Sequence, residues 1–304
     1  AAMRSNSLKT LKNLTNPVTL QCAYCDRNSL PEFSKLLNLL SRYDFYGIEL
    51  NLPDLKALPP RELSSLLRTY GLSLTYIATG VYARNQGLSL SASDPKLRQK
   101  SVDGCMENIR YASDLGAGII IGYLKNHSDP ASAPSDPAQP ALYLQESLAQ
   151  LDDFAKTLNV PILLEATNRY ESCVANALAD TCQIAIQAAA LSAGKGAAGR
   201  SMISILPDTY HMNIEESHPL EALGIYQGHY QNIHLSDNNR YFPGLGCLAF
   251  ENYFNKLNAI HYQGTFGIEG ILKNGIEEDL EVCVDYLNRL METSARACEM
   301  GLLA

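Results

Sequence analysis

The sequence lacks an apolar run of about eighteen residues, the length at which a helix becomes a candidate for crossing a bilayer. The N-terminal segment AAMRSNSLKTLKN also lacks the apolar core of a secretory signal peptide. We therefore expect a soluble, cytoplasmic protein that has no membrane partner.

Basic residues are too few to suggest a nucleic-acid-binding surface. The 304 residues include 24 lysines and arginines against 32 aspartates and glutamates, which gives a net charge of −8. Binding to a phosphate backbone usually requires a concentrated basic surface. The charge balance therefore disfavours nucleic acid as a partner and favours a small-molecule ligand.

The eight cysteines lack the spacing of a disulfide framework or of a structural zinc site. They are scattered without a repeat, and a chain of this length does not need disulfides to be stable. Cys22 and Cys25 form a lone CxxC with no second Cys or His pair in register, so we interpret them as packing at a strand end.

Glycine-rich nucleotide motifs are also missing. No GxGxxG follows the first predicted strand, and the low-complexity segment SAGKGAAG does not end in the GK[ST] of a phosphate-binding loop. This absence disfavours an open, doubly wound dinucleotide-binding sheet.

Short apolar segments instead alternate with helical patterns along the whole chain. The predicted strands are 18–23, 46–51, 72–79, 117–122, 160–167, 203–208, 231–235 and 265–269. The longer predicted helices are 30–42, 95–115, 142–158, 173–191, 250–257 and 277–298, with loops at 80–95, 126–140 and 192–199. Eight such units without a break in composition predict an α/β fold, a single (β/α)8 TIM-barrel domain over residues 1–304.

Four consecutive strands of this barrel end on a group that can bind a metal ion: Glu165, Asp208, His234 and Glu269. The carboxyl ends of parallel barrel strands meet at one mouth, so we expect these groups to converge. Three carboxylates crowded together without a cation would repel one another. Oxygen-rich ligation with one imidazole favours Mn²⁺, Mg²⁺ or Co²⁺ over structural zinc.

Further polar residues follow three of these predicted ligands, three or six positions along the chain. Glu171, His211 and Arg240 could together serve the hydroxyls of a polyhydroxylated ligand. Taken singly, Arg240 could equally be an exposed charge and His211 a cap or core residue. We interpret Glu215 and Glu216 as solvated charges at the start of a helix.

The segments EATNRYE, LPDTYHMNIEE, IHLSDNNRYFPGLG and FGIEG resemble those of ketose 3-epimerases acting on D-tagatose and D-psicose, within the xylose isomerase-like TIM barrels. The resemblance is dense over residues 160–270 and weak before residue 72. It implies a divalent ion, Mn²⁺ first and Co²⁺ or Mg²⁺ as alternatives, held by Glu165, Asp208, His234 and Glu269. It further implies that Glu165 and Glu269 shuttle the proton, that Glu171, His211 and Arg240 hold substrate oxygens, and that the protein is a homo-oligomer.

Tryptophan is absent from the chain, so any tryptophan wall of that family's sugar pocket is absent too. Phe250 stands where the family often has tryptophan, and segments 126–140 and 192–200 resemble insertions. The metal ligands therefore transfer by resemblance, whereas the identity of the sugar stays open.

The sequence predicts a metal-dependent sugar epimerase that works at C3 of a ketose through an enediolate, with two glutamates as acid and base. An aldose–ketose or hydroxypyruvate-type isomerase on the same barrel is an alternative. A metal-dependent abasic-site endonuclease is disfavoured by the net charge and by the shortage of further histidine ligands. A non-catalytic binding protein is also compatible with the same ligands.

Overall fold

The computed structural model describes residues 10–11, 15–127, 136, 138–194 and 199–299, with the backbone alone at 193–194 and 291–299. Residues 128–135 and 137 of the predicted loop 126–140, and 195–198 of the predicted loop 192–199, lie outside the described part. No described helix is long and apolar enough to span a membrane. The seven cysteines with described side chains form no disulfide.

Eight parallel strands form the core of the molecule. They are Val18–Ala23 (β1), Gly47–Asn51 (β2), Ser73–Ala78 (β3), Gly118–Ile121 (β4), Ile162–Glu165 (β5), Ile203–Leu206 (β6), Asn232–Leu235 (β7) and Thr265–Ile268 (β8). Consecutive strands pair from β1 to β6 and from β7 to β8, and β1 also pairs with β8. The remaining gap, between β6 and β7, is bridged where the His234 N–H donates to the Pro207 carbonyl at 2.9 Å. The predicted TIM barrel is therefore confirmed.

Helices cover the outside of the barrel. They are Leu30–Arg42 (α1), Pro60–Tyr70 (α2), Gly80–Gln86 (α3), Pro95–Ser113 (α4), Gln139–Leu158 (α5), Leu178–Gly194 (α6), Thr209–Glu215 (α7), Pro219–Ile225 (α8), Phe250–Ala259 (α9) and Ile276–Glu299 (α10). The outward-facing residues of the strands, such as Ile119 and Leu164, join the helices in the main apolar core. Strands buried on both faces become continuously apolar, which explains the sequences GIII and ILLE.

The inside of the barrel is divided into an apolar half and a polar half. Ala78, Ile120, Leu163 and Leu206 form a separate small cluster inside β3–β6. The alternate residues of β1, β2 and β7 are polar instead, among them Thr19, Glu49, Asn232 and His234, and all four are buried. Because side chains alternate along a strand, Glu165 lies on the interior face that Leu163 also occupies.

Three sequence-based assignments of helices need correction. The predicted loop 80–95 contains α3, because a seven-residue helix is too short to show an apolar period, yet Tyr82 and Ala83 are buried. The helix predicted from residue 173 begins at Leu178, since Ala175 has a positive φ of 57° that a helix cannot contain. Helix α5 begins three residues earlier than predicted, with Pro140 in its first turn.

The segment between β6 and β7 also holds two short helices, α7 and α8, for which the sequence predicted no bounds. Helix α7 begins directly after Asp208, whose side chain caps it. That the whole chain 1–304 forms one domain stays a prediction, because the described residues do not cover it.

Candidate active site

The four predicted ligands meet at the carboxyl ends of β5–β8. Glu165, Asp208, His234 and Glu269 each offer one ligand atom, and these atoms lie within 4.8 Å of one another. His234 Nδ1 is the centre of the group, at 2.8 Å from Glu269 Oε2, 3.6 Å from Glu165 Oε1 and 3.7 Å from Asp208 Oδ2. The first three residues are buried, while the Glu269 side chain keeps 22% of its surface exposed toward the mouth.

Glu49, on the polar interior face of β2, fixes the orientation of His234. One Glu49 oxygen lies 2.7 Å from His234 Nε2, and the other accepts from Asn232 Nδ2 at 2.8 Å and from Thr19 Oγ1 at 3.3 Å. Since a carboxylate so surrounded by donors accepts, Nε2 carries the proton of the neutral imidazole, the form that leaves the Nδ1 lone pair for a metal ion. Gly267 leaves the room for this contact, because a Cβ there would lie 2.5 Å from Glu49 Oε1.

Arg240 joins two of the carboxylates. Its Nη1 donates to Asp208 Oδ2 at 2.7 Å, and its Nη2 lies 2.9 Å from Glu269 Oε1. The other oxygen of Asp208 accepts from the backbone N–H groups of Tyr210 and His211 at the start of α7. The exposed-charge alternative for Arg240 is therefore wrong, because its side chain is only 19% exposed and lies between two predicted ligands.

The loop after β7 fixes the position of Arg240. The buried carboxylate of Asp237 accepts from the backbone N–H groups of Asn238, Gly244, Gly246 and Leu248. Arg240 itself adopts a positive φ of 64°, and its carbonyl accepts from the Ile271 N–H at 2.8 Å. A loop with this many internal bonds holds the guanidinium in one place.

The crowding of charges shifts two pKa values in opposite directions. Burial alone lowers the pKa of His234, but the charge of Glu49 and the close contacts with the carboxylates of Glu165 and Glu269 outweigh it and raise the pKa well above 6.5. Burial alone raises the pKa of Glu269, but the charge of Arg240 and the contact with His234 hold it well below its ordinary value. Glu269 is therefore a carboxylate, able to accept a proton.

His211, Asn168 and Glu171 form a polar group beside Glu165. The backbone N–H of Asn168 donates to His211 Nδ1 at 3.2 Å, so Nδ1 is the acceptor and Nε2 carries the proton. That Nε2 lies 3.8 Å from Glu165 Oε1, and Asn168 Nδ2 also contacts Glu171 Oε1 at 3.4 Å. The cap alternative for His211 is wrong, since Asp208 caps α7, whereas His211 is buried against the cluster.

A cavity of about 190 Å³ opens above the cluster. All of the predicted substrate-binding residues line it, together with Glu165 and Glu269. Gly122 also lines the cavity, and a Cβ there would lie 2.2 Å from Glu165 Oε2, so glycine leaves the room that this carboxylate needs. The roles given to these residues by resemblance stay predictions, but the barrel brings all seven of them to one mouth.

The cluster fits a divalent ion. Glu165 Oε1, His234 Nδ1 and Glu269 Oε2 are buried and have no hydrogen-bond partner among the described residues. Buried polar atoms without a partner are costly, and three of them facing one point are relieved by a cation. Three carboxylates with one imidazole suit Mn²⁺, Mg²⁺ or Co²⁺.

Several residues of the site were missed by sequence reasoning. Glu49 and Asp237 are both buried carboxylates that support a predicted site residue, Glu49 from the distant strand β2 and Asp237 from the same loop as Arg240. A glutamate in the middle of the apolar strand GIELN was the one available signal for Glu49.

The prediction that Glu215 and Glu216 lie at a helix start is wrong. Glu215 is the last residue of α7 and pairs with Arg169, and Glu216 accepts from the Leu178 N–H of α6.

Lys125 is another buried residue near the cluster that the sequence did not single out. Its Nζ donates to the carbonyl oxygens of Glu165 and Ala175, which ties the end of β5 to the loop that carries Glu171. Burial lowers the pKa of Lys125 to about 7, although the charges of Glu165 and Glu171 act in the other direction.

Comparison with known proteins agrees with this geometry. A family profile described as a xylose isomerase-like TIM barrel matches residues 37–286. A D-psicose 3-epimerase of Enterocloster bolteae is 24% identical over 92% of this chain and 91% of its own length. A 3-dehydro-D-guloside 4-epimerase of Escherichia coli is 30% identical over 52% of this chain, and that alignment spans 58% of the relative. A structure of L-ribulose 3-epimerase covers 94% of this chain and 97% of its own with a TM-score of 0.76, and at 20% identity this likeness shows the fold.

The Glu49–His234 contact generates a prediction about metal affinity. Glu49→Gln keeps the shape but weakens the acceptor that fixes the His234 tautomer, so affinity for Mn²⁺ should fall by about ten- to hundredfold. Titration of the metal-stripped protein with Mn²⁺ measures the change. Glu107→Gln is the matched control, because Glu107 accepts from Tyr82 away from the cluster. Equal affinity in both variants would contradict a supporting role for Glu49.

Proposed function

Because this chain belongs to the xylose isomerase-like TIM-barrel family, we propose that it is a divalent-metal-dependent sugar epimerase, acting at C3 of a ketose. The observation that carries the proposal is the convergence of Glu165, Asp208, His234 and Glu269 beneath a cavity lined by hydrogen-bonding side chains. Relatives that act as ketose or sugar epimerases support the reaction class. The cytoplasmic location, the homo-oligomer and the preference for Mn²⁺ over Co²⁺ or Mg²⁺ stay predictions.

The four clustered residues would hold the ion through three carboxylates and the Nδ1 of His234. A divalent ion bound there supplies Lewis-acid polarisation of a carbonyl and its neighbouring hydroxyl, which acidifies the C–H bond next to them. Every other part of the reaction is assigned to side chains of the chain itself.

Glu165 and Glu269 are the proposed acid–base pair. They come from β5 and β8 and approach His234 Nδ1 at 3.6 and 2.8 Å, so a sugar in the cavity would meet a carboxylate from each strand. One removes the proton on C3, and the planar enediolate that results takes a proton from the other, which inverts the centre. The lowered pKa keeps Glu269 ionised, which is the state in which a carboxylate can accept a proton.

The surrounding residues would orient the sugar and the carboxylates. His211 donates through Nε2, because Asn168 occupies its Nδ1. Glu171 accepts from sugar hydroxyls at the cavity wall. Arg240 is proposed to hold the carboxylates of Asp208 and Glu269 in fixed positions and to donate to a substrate oxygen.

The position of the exchanged hydrogen tests the reaction. Turnover of D-psicose or D-tagatose in D₂O should place solvent deuterium at C3 of the product, because removal and return use two different carboxylates. Nuclear magnetic resonance of the product reads the label. Label confined to C1 or C2 would contradict the epimerase and support the aldose–ketose isomerase. The similarity to a 4-epimerase makes a 3-keto sugar the second substrate to test, with label then expected at C4.

Glu171 should affect turnover but not metal content. It lines the cavity and contacts only Asn168 among the hydrogen bonds of the described residues, so Glu171→Gln removes a charged acceptor without touching the cluster. We expect kcat/KM to fall by about ten- to hundredfold. Steady-state kinetics and elemental analysis measure the two effects, and Glu221→Gln in the first turn of α8 is the exposed control. Unchanged kinetics in Glu171→Gln would remove this residue from the substrate site.

A further inference from the structure

The cavity has two chemically different walls. The wall from β5–β8 carries Glu165, Glu171, His211, Arg240 and Glu269, which the proposed reaction uses. The opposite wall, from β1–β4 and α3, has no assigned role. Its polar side chains are Gln21, Asn51, Thr79, Arg84 and Tyr123.

Arg84 is the one charged side chain that lines the opposite wall in the described part of the chain. Its Cζ lies 4.7 Å above the centre of the Tyr123 ring, and the side chain is exposed to the opening. No acidic group of the described residues lies within ion-pair distance of it. Arg240, the other arginine of the cavity, differs because two carboxylates already neutralise it.

The neighbours of Arg84 on this wall are neutral. Asn51 Nδ2 donates to Gln21 Oε1 at 3.0 Å, and Asn51 Oδ1 receives the Val81 N–H at 3.4 Å. Amide and hydroxyl groups of this kind can hydrogen-bond sugar hydroxyls. They carry no negative charge that would neutralise the Arg84 guanidinium. A substrate that fills the cavity from the acid–base pair to this wall therefore ends near an unpaired cation.

We propose that the substrate is an anionic sugar, whose carboxylate or phosphate lies against Arg84 while its carbonyl end lies between Glu165 and Glu269. The proposal rests on the proposed epimerase function and adds the class of substrate. The planar guanidinium matches carboxylate and phosphate oxygens in a two-bond geometry. Its contact with the Tyr123 ring uses none of its N–H donors in a hydrogen bond to a described residue.

The test compares three probes on the Mn²⁺-loaded protein: D-psicose, its 6-phosphate and its C6-oxidised uronate. Binding is measured by calorimetry, and kcat/KM is measured by exchange in D₂O. We expect at least one anion to exceed neutral D-psicose by about tenfold or more in both, because hydrogen bonds to charged groups are the stronger ones. A preference for the uronate would identify a carboxylate, and a preference for the 6-phosphate would identify a phosphate, as the anionic group of the substrate.

Variants assign the preference to the guanidinium. Arg84→Met should reduce the ratio of anion to neutral binding by about ten- to hundredfold, and Arg84→Lys should retain part of it, because lysine keeps the charge but not the fork. Arg110→Met is the matched control, since Arg110 lies 4.8 Å above the Phe154 ring away from the cavity. This control should keep the wild-type ratio.

Neutral D-psicose binding as tightly as both anions in the wild type would overturn the proposal, as would an anion preference that survives Arg84→Met. The two levels of the argument fail separately. Anion binding that depends on Arg84, without deuterium exchange in any probe, would retain this inference and refute the epimerase. Deuterium exchange without any preference for an anion would support the epimerase and refute the anionic substrate.

Discussion

Three carboxylates and one imidazole held within 4.8 Å of one another are the constraint on which the mouth of this barrel depends. Like charges at this spacing repel, and burial removes the water that would screen them. The protein meets this cost in part with Arg240, which bridges Asp208 and Glu269. Three buried ligand atoms still lack a hydrogen-bond partner among the described residues, and a divalent ion bound there would satisfy all three at once.

The interior of the barrel is built around this charge. The inward-facing residues of β3–β6 are apolar, whereas those of β1, β2 and β7 include Thr19, Glu49 and Asn232. The His234 imidazole therefore contacts a buried carboxylate inside the barrel. Close approach requires glycine at Gly122 and Gly267, where a Cβ would meet Glu165 and Glu49. Two strands of the polar half, β1 and β2, also carry Gln21 and Asn51 to the wall on which Arg84 lies.

The sequence predicted the barrel and the meeting of Glu165, Asp208, His234 and Glu269 because both depend on local patterns. Apolar runs mark the strands, and the polar residue that ends each run marks the mouth. Glu49 and the Glu215–Arg169 pair were not predictable in this way, since their partners lie 185 and 46 residues away. Asp237 has its partners within its own loop, whose folded shape no local apolar pattern reveals. Helix α3 was missed because its burial, rather than an apolar period, stabilises it.

Metal content together with thermal stability tests the central claim most directly. A ligand that binds only the folded state raises its stability, so exhaustive chelation should lower Tm and abolish exchange, and Mn²⁺ should restore both. Elemental analysis should find one ion per chain, lost in His234→Ala while circular dichroism shows the fold retained. A chelated protein with no ion, an unchanged Tm and full exchange activity would contradict the account.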